Sequence, residues 1–92
     1  MFGLLLALLI GAALLAVLTW SDISSWITTN ATGVSKYGEI IKEKLATGNY
    51  QVVVGVFDKR NTRTAKTSWT AKELDADLNA RFRSANRIVV DV

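Results

Sequence analysis

Hydrophobic positions crowd the start of this chain and thin out after it. From Phe2 to Trp20 no side chain is charged, and 17 of the first 20 positions are apolar. In a helix such a run rises about 1.5 Å per residue and nearly matches the ~30 Å hydrocarbon core of a bilayer. The pattern therefore predicts a single N-terminal transmembrane helix. Ile23, Trp26 and Ile27 continue at helical spacing and extend the predicted anchor, with an interfacial turn, over residues 1–27. Trp20 and Trp26 fall where an interfacial aromatic belt is expected. Gly3, Ala7 and Gly11 recur every four residues, the spacing that lets a second helix approach closely in lipid. A cleaved secretory signal competes with this reading. Against it stand the missing Lys or Arg before the run, the length of the run, and the lack of a small-x-small site before Ser21.

Residues 28–34, TTNATGV, have the composition of a short connector, and a small domain is expected over 35–92. Tyr37, Ile40, Ile41 and Leu45 share one face at helical spacing, with Ser35 as N-cap and Gly48 as stop, so the segment reads as an amphipathic helix. Tyr50 to Phe57, YQVVVGVF, is β-branched and aromatic on both alternating faces and reads as a central strand. Within it, Gly55 marks a bulge or a neighbour packed closely above. Asp58 to Asn61 supplies turn chemistry, and Thr62 to Trp69 alternates weakly, as a more exposed partner strand would.

Thr70-Ala71-Lys72-Glu73 matches a capping box ahead of Leu74, Leu78, Phe82 and Ala85, predicting a helix from about Ala71 to Ser84 with Asp77 and Arg81 able to pair. Arg87 to Val92 alternates again as a last strand. The expected fold is α+β: a transmembrane helix, then a small αββαβ domain whose three-stranded, mainly antiparallel sheet has the order 2-1-3 and carries both helices on one face.

Composition changes this picture little. The 50% hydrophobic content of the 92 residues is an average over two unlike segments, because the residues after Trp20 are of ordinary polarity. With no His and no Cys, the chain supplies no imidazole base, no thiolate and no disulfide. The formal net charge is +3, mildly basic and short of a dedicated nucleic-acid module. Lys36, Lys42 and Lys44 follow an N-terminal side without basic residues, which places the domain on the cytoplasmic side of the expected membrane.

Candidate chemistry is sparse. Asp75-Ala76-Asp77 has the form of a metal-binding Asp-x-Asp element, but positions two apart on a helix point about 200° from each other. No phosphate-cradling glycine loop or nucleophile elbow is found, so neither a metal nor a cofactor is expected, and an enzyme is not. The densest charge is at the turn between the two strands, where Lys59, Arg60, Arg63 and Lys66 are opposed only by Asp58. These features predict a non-enzymatic, single-pass bacterial membrane protein, an accessory or scaffold subunit whose domain docks on a partner. The expected partners are the lipid bilayer and, through the helix, another membrane protein or a second copy. The alternative is a membrane-tethered module recruiting nucleic acid or an acidic ligand through the basic hairpin, with nucleic acid the less favoured of the two.

Overall fold

The structure, a computed structural model, describes residues 14–83 and 85–92. Its strands are β1 (Leu14–Leu18), β2 (Ser35–Lys44), β3 (Tyr50–Asp58), β4 (Arg63–Leu74) and β5 (Arg87–Asp91); its helices are α1 (Trp20–Asn30) and α2 (Ala76–Phe82). They form one five-stranded sheet in the order β1-β4-β3-β2-β5. β1 pairs parallel with β4, and every other neighbouring pair is antiparallel.

This overturns the expected αββαβ domain behind a transmembrane helix. Leu14–Leu18 is a strand, with Leu15 opposite Ala71 and Leu18 opposite Leu74. The following helix starts only at Trp20, where Thr19 and Asp22 cap it reciprocally: Thr19 Oγ1 accepts from the Asp22 amide at 3.0 Å, and the Asp22 carboxylate accepts from the Thr19 amide at 3.1 Å. Such a box fixes a helix start where donors would otherwise go unsatisfied. Among the described residues no helix is long and apolar enough to cross a membrane. The anchor, the single-pass assignment and the membrane location drawn from it are corrected accordingly. Gly3, Ala7 and Gly11 lie outside the described residues.

Two further expectations change with it. Ser35–Lys44 is not a helix but the strand between β3 and β5, so the last strand pairs with β2 rather than with Tyr50–Asp58, and the order 2-1-3 gives way to five strands. Ile40 and Ile41 explain the misreading. They are adjacent yet both buried, Ile40 among the helices and Ile41 on the opposite face of the sheet, a burial on two faces that mimics helical spacing. The Thr70–Glu73 box is not a cap either: those residues continue β4, with Thr70 and Ala71 paired to both β3 and β1 and Glu73 to β1. Asp75 caps α2 instead, its Oδ1 accepting from the Leu78 amide at 2.8 Å.

Both helices pack on one face of the sheet. Ile23 and Ile27 of α1, and Leu78 and Phe82 of α2, close over Ile40, Val52, Val54, Val56, Leu18 and Leu74. Gly38 lies under α1, where a Cβ would meet Ile27 Cδ1 and Val90 Cγ2, each at 3.3 Å. The Asp75 amide donates to the Leu18 carbonyl at 3.0 Å, tying the end of β1 to the start of α2. The other sheet face, formed by the alternate residues of each strand, carries no helix among the described residues.

Candidate functional site at the hairpin corner

The turn joining β3 and β4 is built by Asp58. One of its carboxylate oxygens accepts from the backbone amides of Arg60 at 2.9 Å and Thr62 at 3.0 Å. Its own amide donates to the Thr62 carbonyl, and the Asn61 amide to the Asp58 carbonyl, both at 3.0 Å. Asn61 adopts φ 62°, a left-handed conformation that Asn tolerates better than most residues. These bonds commit Asp58 to the turn and leave Lys59 and Arg60 exposed at its tip.

Behind the tip, two aromatic rings mark the helix-free face. Tyr37 and Phe57 are cross-strand neighbours on β2 and β3, stacked with centroids 5.0 Å apart and planes 7° from parallel. The Tyr37 hydroxyl donates to Asn61 Oδ1 at 3.0 Å, fastening β2 to the turn. The Phe57 ring folds back over Gly55, where a Cβ would lie 3.0 Å from Phe57 Cε1 and 3.5 Å from Arg63 Cδ. The expected close neighbour of Gly55 is therefore this ring together with the Arg63 stem. Such cover over a strand glycine restores the contact that its missing side chain leaves out.

The register places Arg63 opposite Phe57 and Lys66 opposite Gly55, both on the helix-free face, while Lys59 and Arg60 stand at its end. All four basic residues singled out in the sequence thus meet at one corner of the sheet. Among the described residues none of them enters an ion pair; the pairs present are Asp77 with Arg81 and Glu39 with Arg87. Beside the tip, Gly33, Val34, Asp58, Lys59 and Arg60 line an open cleft of ≈ 400 Å³. Val34 is 63% exposed, an apolar side chain at the mouth of a cationic cleft.

The remaining candidates have structural places. Trp20 and Trp26 pack partly buried against the core, and the Arg81 guanidinium lies 4.2 Å from the Trp20 ring centroid. Asp75 is the cap of α2, and Asp77 meets Arg81 at 3.2 Å, so the two carboxylates of the Asp-x-Asp element are separately engaged. Among the described residues no three metal-capable side chains converge. Tyr37, Phe57 and Val34 were missed as site residues from the sequence. The available signal was the alternation of Tyr37, Glu39 and Ile41, obscured because Tyr37 and Ile41 also fit a helical face with Ile40 and Leu45.

No protein-family model, curated protein or solved structure matches the chain.

Proposed function

We propose that this chain is a non-enzymatic binding module that docks on an acidic segment of a protein partner through the hairpin corner. The observation that carries the reading is the concentration of Lys59, Arg60, Arg63 and Lys66 at one corner of the sheet, where Lys59 and Arg60 line a cleft whose one carboxylate among the described residues, Asp58, is tied to backbone amides. Unpaired cations beside a concavity raise the local potential and speed the encounter with an anionic partner. Val34 and the Tyr37–Phe57 pair supply the apolar and aromatic contact that turns attraction into a seated complex. A protein segment fits better than a single-stranded nucleic acid, because Tyr37 and Phe57 each give one ring face to the other instead of offering both to bases.

The test is a titration of the full chain with an Asp/Glu-rich peptide and with an oligothymidylate of equal charge, each over a salt series. Peptide binding that weakens with salt is the expected result, as is its loss by about tenfold or more in the double variant Lys59→Glu/Arg60→Glu at unchanged thermal midpoint. Equal affinity of variant and parent for the peptide sinks the proposal. Tighter binding of the oligonucleotide replaces the protein partner with nucleic acid.

A further inference from the structure

Among the described residues the helix-bearing sheet ends on one side at β5, and that edge is self-complementary. The Lys42 amide donates to the Asn86 carbonyl at 2.8 Å and the Val92 amide to the Lys36 carbonyl at 3.3 Å. In an antiparallel ladder the hydrogen-bonded residues alternate, so even-numbered residues of β5 face β2. The amides and carbonyls of Arg87, Val89 and Asp91 therefore point outward, away from the sheet. Sheet edges in proteins that stay monomeric are usually blunted by Pro, by a bulge or by a central charge. β5, RIVVD, has none of these: its charges sit at its two ends, and Val89 at its middle is 48% exposed.

From this the geometry points to a second copy of the chain as the occupant of the edge, paired antiparallel along β5 about a two-fold axis at Val89. The outward groups fall in the required phase. Val89 faces Val89 of the second copy, and Arg87 faces its Asp91, each rung exchanging two backbone hydrogen bonds. The side chains match as well as the backbone. Residues 87, 89 and 91 share the helix-free face, so the two-fold sets the Arg87 guanidinium, already paired with Glu39 of its own copy, beside the Asp91 carboxylate of the second copy at both ends, with valine against valine between them. On the other face Ile88 meets Val90. Among the described residues no other edge offers this combination: β1 exposes Leu14 and Val17 without any charged pair, and the outer edge of β4 beyond β1 carries Arg63 and Lys66, which repel a copy of themselves.

An interface of five residues a side belongs with the small, weak class below about 1,200 Å², so association is concentration-dependent. Sedimentation equilibrium of the full chain from micromolar to millimolar concentration should show a monomer–dimer equilibrium. Val89→Lys should weaken it by about tenfold or more, since like charges then meet at the two-fold axis. The register has a sharper test. Asp91→Arg puts two cations opposite each other at each end, and Arg87→Asp puts two carboxylates there, so each variant alone should dimerise poorly. An equimolar mixture of the two should restore the dimer. Amide exchange of the parent protein gives a readout free of substitutions: protection at Arg87, Val89 and Asp91 should rise with concentration. A parent that stays monomeric to millimolar concentration overturns the proposal. So does a dimer indifferent to Val89→Lys, or one whose concentration-dependent protection lies outside β5.

Discussion

Gly38 shows how single positions are held by what stands above them. It sits in an ordinary extended strand, yet a Cβ there would lie 3.3 Å from both Ile27 Cδ1 and Val90 Cγ2, tighter than ordinary contact, so a larger side chain must push these two side chains aside. Gly38→Val should therefore cost about 1–3 kcal/mol through overpacking, measured as a lower denaturant midpoint at unchanged slope. The contact that makes this residue sensitive joins positions distant in sequence, and no local pattern announces it. The same holds for Trp20 and Trp26. Their aromatic, amphipathic chemistry suits either a lipid interface or the rim of a protein core, and only packing against the core selects the second. By contrast, Leu78 and Phe82 were legible as core from their spacing, and both are fully buried, because a four-residue repeat on a helix beside a sheet has one place to go. The Asp77–Arg81 pair was legible for the same reason: the contact is local.

At the scale of elements, α2 decides between two possible caps. Thr70 lies within β4, while the Asp75 side chain accepts from the third amide after it. Asp75→Ala should lower stability by about 1 kcal/mol, whereas Thr70→Ala should stay within about 0.5 kcal/mol. Thermal unfolding of the two variants side by side checks it, and the opposite ranking would move the helix start back to Thr70. Only Thr70 has a box partner three positions on, Glu73; Asp75 is followed there by Leu78 and caps with its own carboxylate alone, so the local pattern favours the start that the fold does not use. The choice falls to Asp75 because β3 and β1 pair with Thr70 and Ala71 from both sides, and β1 alone holds Glu73 and Leu74 in the strand. Strand β2 was hidden in the same way. Ser35–Lys44 meets the helical template at Tyr37, Ile40 and Ile41, and Gly38 costs a helix only about 1 kcal/mol. Pairing with β3 along nearly its whole length, and with β5 on the other side, outweighs that local preference. β3 itself and its turn were legible, since a β-branched run apolar on both faces and closed by Asp-Lys-Arg-Asn has few other solutions.

At the scale of the whole molecule, the question is whether the apolar start of the chain belongs to the fold. Leu18 is fully buried in the cluster with Leu74 and Leu78, and its carbonyl accepts from Asp75. Leu18→Ala should accordingly cost about 2–5 kcal/mol by the cavity it leaves, enough to unfold a substantial fraction of a domain this small. Far-ultraviolet circular dichroism during urea denaturation measures it, and an unchanged midpoint would detach β1 from the core. Lys59 lies in the β3–β4 turn and Val89 at the middle of β5, with β2 between β3 and β5, so loss of peptide binding and loss of self-association are separable by variants of Lys59 and Val89. By itself the sequence determined what depends on near neighbours: the buried central strand, its hairpin turn, the core face of α2, the last strand, and the clustering of four cations. Only the tertiary structure decided what depends on distant partners. A short uncharged apolar run satisfies the burial requirement equally as helix or strand, and its backbone hydrogen bonds settle the matter. For Leu14–Leu18 those partners come from residues 70–74, more than fifty positions along the chain, where no periodicity can register them.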